Sequence, residues 1–317
     1  MSSPRCLAAL SRYFGEGLLW VQASGGNISI KTGNDILIKP SGMRLRQITQ
    51  KSGYLRLPIK RSKDNQFIFA TKNCAVSRKP SIESGMHLLM PHPVVIHTHP
   101  IALNALLCSS LPDDAIFSIF NRSGICPVIV SYARPGVSLA RRILKELPKA
   151  KGPADQSFKV LFLRNHGLVI AARDKKEAIK ISRRIHNVLK RFFPRLPGKI
   201  SGRGIRLRYL GDKLFKARLA ASFGLKGLRR SDIERALSPD MAVFCGKGRL
   251  DMSGNEILIR AQSQREARFA AEVLAAQLKA LSLMKAAGIR PKYLNHKEIS
   301  GILSMREEKY RQDLLKN

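Results

Sequence analysis

The chain has 317 residues, 44% of them apolar, and a mean hydropathy of −0.13, enough for one large or two ordinary domains with a real core. Its 57 Lys and Arg face 22 acids, a net charge of +35 that attracts polyanions and phosphorylated metabolites; aromatics are only 6% and do not interleave with the basic clusters, so no stacking platform for single strands is evident and nucleic acid is not the expected partner. Cys6, Cys74, Cys108, Cys126 and Cys245 are odd in number and lack C-x-x-C spacing, which excludes a disulfide framework and a thiolate zinc site.

The first apolar residues, Cys6 to Leu10, are too short for a secretory leader, and no run approaches the ~20 apolar residues of a membrane span. A cytoplasmic protein that does not contact the membrane is expected. Leu7, Leu10, Tyr13 and Phe14 are spaced for an amphipathic helix over residues 4–19. Gly25-Gly26-Asn27 is a turn through which backbone can approach an anion. Ile28–Ile30 and Ile36–Ile38, on either side of Thr32-Gly-Asn-Asp35, form a hairpin pattern. Pro40-Ser41-Gly42 follows at once. Residues 44–66, polar and basic, read as a loop with a short helix near Leu45–Thr49, and a buried strand at Phe67–Thr71 comes next. Pro80-Ser81 opens a helix running to about Met90, with Ser81 as N-cap and Glu83 in the first turn, where the helix dipole favours a carboxylate. His87 lies on the same face and reads as a structural hydrogen-bonding residue. His92, between two prolines, reads as exposed.

Val94 to Pro100 reads VVIHTHP. A strand alternates its faces, so the side chains of His97 and His99 point the same way and can meet one ion. The alternative is two histidines on a solvated strand face. Helix is expected over 101–109, a strand at 127–132, and a helix from an N-cap at Ser138 to before Lys149. Residues 151–156 read as a surface linker. Val160–Leu163 and Leu168–Ala171 form a hairpin with His166 at its tip, followed by a long basic helix from Asp174 to Phe193. The Pro- and Gly-rich stretch 194–204 is the best domain boundary. Beyond it the pattern gives a basic helical stretch at about 210–223, a short helix after Ser231, strands at 241–245 and 256–260, a long Ala-rich helix at 264–287, and a final segment from Asn295 to Leu315. No histidine–carboxylate cluster is apparent there.

SGGNIS (24–29), KPSG (39–42), PSIE followed by His87, VVIHTHP (94–100) and NHGLVIA (165–171) resemble, in order and spacing, the class II aldolase/adducin family. The resemblance covers residues 1 to about 193 and is closest to its bacterial rhamnulose-phosphate-aldolase-like branch; SPDMAVFCG (238–246) and EEKYRQDLL (307–315) are similar to that branch's C-terminal extension. It implies a three-layer α/β/α sandwich around a largely antiparallel sheet, usually in a cyclic homotetramer. The expected division is a metal-binding domain over 1–195, a linker over 196–206 and a C-terminal α/β extension over 207–317. The resemblance also implies zinc or another divalent ion on His97, His99 and His166, with Glu83 as acid/base residue. Asn27, Ser41, Gly42 and Ser81 fall on the substrate- and phosphate-binding turns. The implied reaction is aldol cleavage of a sugar phosphate or similar hydroxy-carbonyl compound through a metal-stabilised enediolate. An epimerase or dehydratase would use the same site, and adducin-like members use the fold as a binding or assembly module. One departure is Ile82, where sugar-phosphate members usually carry a second Ser or Thr.

Overall fold

A computed structural model of the chain describes residues 3–61, 67–69, 78–147, 158–223, 230–246, 248–253 and 256–314. In chain order, helix α1 (Ser3–Gly15) precedes strands β1 (Asn27–Thr32), β2 (Asp35–Ile38), β3 (Leu55–Arg61) and β4 (Phe67–Phe69). Helix α2 (Ser84–Leu89), β5 (Val94–Thr98), α3 (Ile101–Leu107), α4 (Asp113–Phe120), β6 (Val128–Val130) and α5 (Val137–Glu146) follow. The hairpin β7 (Phe158–Leu163) and β8 (Gly167–Ala172) leads into α6 (Lys175–Phe192). The remainder comprises β9 (Ile205–Gly211), β10 (Leu214–Leu219), α7 (Arg230–Glu234), α8 (Pro239–Cys245), β11 (Leu250–Ser253), β12 (Glu256–Arg260), α9 (Gln264–Ala286), α10 (His296–Leu303) and α11 (Arg306–Asp313).

The first eight strands make one sheet in the order β4-β3-β2-β1-β5-β8-β7-β6, and the last four a smaller one in the order β11-β12-β10-β9. In the large sheet only β6 with β7 runs parallel; the other neighbours are antiparallel. Its central strands β5 and β8 are buried on both faces, as a covered sheet requires. Ile96 and Ile170 point into the core under α1, α3 and α6, whereas Val95 and Val169 point into a second core under α2 and α5. This is the three-layer α/β/α sandwich. Helix α9, 23 residues long, packs on α3, α8 and the small sheet, and one core runs from Leu7 to Ile302. Among the described residues no helix is long and apolar enough to cross a membrane.

Several local expectations need correction. The expected helical stretch at 210–223 is mostly a β-hairpin: Ile205, Leu207 and Tyr209, then Phe215, Ala217 and Leu219, alternate with period two, Asp212 and Lys213 turn the chain at φ 46° and 60°, and only Ala221–Phe223 forms a short 3-10 turn. Residues 241–245 are helix rather than strand; Ser238 is the N-cap, Pro239 opens the helix and Asp240 sits in its first turn. Glu83 is the N-cap of α2, not a residue of its first turn, because Ser81 to Ser84 form a separate turn in which the Ser84 N–H and Oγ both reach the Ser81 carbonyl. Gly136, not Ser138, caps α5, and its φ of 87° suits glycine. His92 is half-buried rather than exposed. The loop expected over 44–66 contains β3, whose Leu57 and Ile59 are buried at every second residue, and α4 is absent from the pattern although Asp113 and Asp114 mark its first turn. The linker expected at 151–156 lies outside the described residues.

The two parts of the chain are joined by a buried carboxylate. Glu272 of α9 accepts from the Ala23 N–H at 2.9 Å and from both terminal nitrogens of Arg44 at 2.7 and 3.1 Å. The Arg44 guanidinium also lies 4.4 Å from the Phe269 ring centroid. Glu272→Ala leaves a cation without its counter-charge and should cost about 3–5 kcal/mol of stability. Denaturant unfolding of the two proteins checks this; a loss below about 1 kcal/mol would mean that the pair is replaceable by solvent.

Candidate metal centre

The centre forms where β5, the β7–β8 hairpin and the start of α2 meet. His97 sits in β5 opposite Asn27 on one side and Val169 on the other, so its ring is fully buried. His99 lies two residues on, just past the strand. His166 is carried to them by the hairpin tip, where Asn165 adopts φ 52° and donates from its amide to the carbonyls of Leu237 (2.9 Å) and Lys292 (2.7 Å). Gly167 must lack a side chain, since a Cβ there would collide with the Thr98 carbonyl and stand 2.9 Å from the His99 ring. Gly26, at φ 71°, is likewise restricted: a Cβ there would stand 2.9 Å from the His97 carbonyl oxygen.

The three rings stand with centroids 4.8, 5.0 and 5.2 Å apart. Their Nε2 atoms face one another: His97 to His99 is 3.0 Å. Glu83 closes the group, with one oxygen 2.8 Å from His166 Nε2 and the other 3.3 Å from His97 Nε2. The ligating atoms of all four residues lie within 4.8 Å of one another.

The outward nitrogens explain the orientation. His97 Nδ1 is 3.0 Å from the Leu168 carbonyl, which can only accept, so Nδ1 carries the proton. His99 Nδ1 is 2.8 Å from Asp240 Oδ2 and is assigned a proton for the same reason. In the neutral rings both facing Nε2 atoms then present lone pairs at 3.0 Å, which repel unless a positive charge lies between them. Three imidazoles with a carboxylate beside them are the donor set of a divalent-ion site with a position left open. The residues present therefore fit such an ion.

Burial by itself would raise the Glu83 carboxyl, but the charges and hydrogen bonds of His97 and His166 override it and hold Glu83 well below the usual carboxylate range. Burial lowers His97, yet Glu83 beside it outweighs this and the net direction is upward. His166 goes down, chiefly by burial. His87, fully buried, is driven well down by burial and bonds to Ser29 Oγ through Nδ1 at 2.8 Å, a structural partner as its position on α2 suggested.

Above the cluster is a small cavity of about 20 Å³, room for little more than one water molecule. Ser41, Gly42 and Ser81 line it together with Glu83, His99 and His166. Asn27 does not line it; it is fully buried in β1, and neither atom of its amide has a partner among the described residues. Four charged lining residues were not anticipated. Lys39 belongs to the KPSG stretch already singled out, while Asp240, Glu308 and Arg311 come from α8 and α11. The signal for Asp240 was present in the Ser-Pro-Asp helix start, obscured by reading the segment as a strand.

Lys39 is fully buried, and burial, with Arg311 nearby, brings its amine down to about 7. Its Nζ donates to just two carbonyls, Ser24 at 2.9 Å and Met43 at 2.8 Å, which a neutral amine can still do.

Residues 5–192 match the family described as Class II Aldolase and Adducin N-terminal domain. The chain is 27% identical over 158 residues to "Uncharacterized oxidoreductase YuxG" of Bacillus subtilis, a match that takes in 48% of this chain and only 20% of that protein's length. It is 26% identical over 178 residues to the 5-methylthioribulose-1-phosphate/5-deoxyribulose-1-phosphate aldolase of Rhodospirillum rubrum, covering 54% of this chain and 72% of the relative. Among solved structures, the N-terminal class II aldolase domain of a conserved Thermoplasma acidophilum protein is similar at 24% identity and a TM-score of 0.48, over 60% of this chain and 93% of that one.

The Lys39 environment has a measurable consequence. Its folded-state value of about 7 lies below the unfolded one, so between them the unfolded chain binds more protons. Stability from this group is therefore present at high pH and lost as pH falls toward 7, at up to about 1.4 kcal/mol per pH unit. The difference in unfolding free energy between wild type and Lys39→Met should grow from pH 7 to pH 10; a difference independent of pH would contradict the assignment.

Proposed function

The chain belongs to the class II aldolase and adducin family, and from that premise we propose that it is a metal-dependent carbon–carbon lyase acting on a sugar phosphate or a related hydroxy-carbonyl compound. The observation that carries the reading is the cluster of three converging imidazoles with an ionised carboxylate in contact. His97, His99 and His166 would hold zinc or another divalent ion. Such an ion, when bound, supplies Lewis acidity that favours negative charge on a carbonyl substrate.

The remaining work falls to the chain. Glu83, below its usual range and hence a carboxylate at neutral pH, is in the base form. In the condensation direction it would remove a proton from the carbon beside the carbonyl; in cleavage it would return one there after the C3–C4 bond breaks. The Gly25–Asn27 turn with Ser41, Gly42 and Ser81 would receive the anionic end of the substrate. Ile82 contributes no hydroxyl, but Lys39 and Arg311 at the same cavity supply cationic character. The phosphorylated ketoses in the name of the Rhodospirillum rubrum relative support a sugar phosphate.

Glu308 and Arg311 reach the same cavity from α11. A homotetramer and a cytoplasmic location belong to the same proposal. An epimerase or dehydratase would use the same four residues. A non-catalytic module would have no use for a buried carboxylate held ionised among histidines.

Metal analysis of the purified chain, with a sugar-phosphate panel assayed for aldehyde release, tests the reading. Bound zinc, and turnover abolished by a chelator, are expected. Glu83→Gln should lower turnover by about 10²-fold or more while the ion stays bound. Undiminished turnover in that variant would remove Glu83 from the mechanism, and a chain that takes up no ion would leave the binding module.

A further inference from the structure

Residues beyond 192 lie outside the family match, yet one of them touches the cluster. Asp240, at the start of α8 and 6% exposed, places Oδ2 2.8 Å from His99 Nδ1. Its other oxygen is held at 2.9 Å by Arg311 of α11. Gly25 makes room for the pair: a Cβ there would stand 2.9 Å from Asp240 Oδ2 and 3.0 Å from His99 Nδ1. The other two rings are oriented differently. His97 leans on a backbone carbonyl, and His166 Nδ1 has no partner among the described residues. Among the described residues, Asp240 is thus the only anionic group in hydrogen-bond contact with an outward ring nitrogen of the three.

We propose that Asp240 is a positioning residue for the ion site: by accepting the Nδ1–H of His99 it fixes that ring's tautomer and aims Nε2 at the other imidazoles, so that the C-terminal region supplies a working part of the centre. The proposal rests on reading the cluster as an ion site. A neutral imidazole has one N–H; pinned on Nδ1, it leaves the Nε2 lone pair for a cation, and an anionic acceptor makes that lone pair more basic. The competing view is that Asp240 merely anchors α11 through Arg311.

The test uses the full chain, with Zn²⁺ and Co²⁺ as probes, affinities taken by competition with a chromophoric chelator, and the visible absorption of the Co²⁺-loaded protein as a report on ligand geometry. Asp240→Ala should weaken both ions by about 10–100-fold and alter the Co²⁺ spectrum. Asp240→Asn, nearly the same shape and still able to accept through its amide oxygen, should weaken them less. Arg311→Gln, which removes the anchor but leaves the His99 contact, should bind near wild type. Should Asp240→Ala fail to fold, Asp240→Asn carries the test. Wild-type affinity in Asp240→Asn, or an Arg311→Gln loss equal to that of the Asp240 variants, would overturn the proposal while leaving the ion site standing. A wild-type chain that binds neither ion would overturn both.

Discussion

The structure depends on holding three imidazole nitrogens against one another and against a carboxylate in a dry pocket. His97, His99 and His166 come from two strand ends that are distant along the chain, and nothing local draws them together. The large sheet does so: β5 and β8 are hydrogen-bonded neighbours, and the β7–β8 turn folds its tip over the end of β5. Fixed acceptors then turn the rings, the Leu168 carbonyl for His97 and the Asp240 carboxylate for His99. Left without a positive charge, the facing lone pairs of His97 and His99 would oppose the packing that unites them.

A second constraint is that this centre is roofed by the C-terminal region. Arg311 reaches Asp240 at 2.9 Å and Glu308 at 2.9 Å, and Arg265 of α9 donates to the carbonyls of Gly42 and Leu314. Helices α8, α9 and α11 are thereby tied to the glycine turns of the first part. The excluded water strengthens each charge pair inside, which is how Asp240, despite the opposing effect of burial, is held well below the usual carboxylate range by His99 and Arg311.

The net charge of +35 has little to do with this arrangement. The cavity gathers Glu83, Asp240 and Glu308 from a chain poor in acids, set against Lys39 and Arg311. The overall field brings anions toward the molecule, whereas the balance at the cavity depends on which few charges the fold buries together.

Much was legible in the residues themselves. The alternation of Val94 to Thr98 set the same-face histidine pair, the Gly-rich turns marked where backbone bends sharply, and five motifs in order carried the family and the sandwich. Short-range pattern failed where two periods compete. Residues 205–219 carry basic side chains that suit a helix, but their apolar positions repeat every second residue; residues 238–245 are apolar enough for a strand, but begin with Ser-Pro-Asp. Only the tertiary structure brought Asp240, Glu308 and Arg311 to His99, because a contact spanning 141 residues leaves no trace in spacing. Which residues can bind and bend is a local property of side chains and backbone; which of them share one dry pocket is decided by how sheet and helices stack.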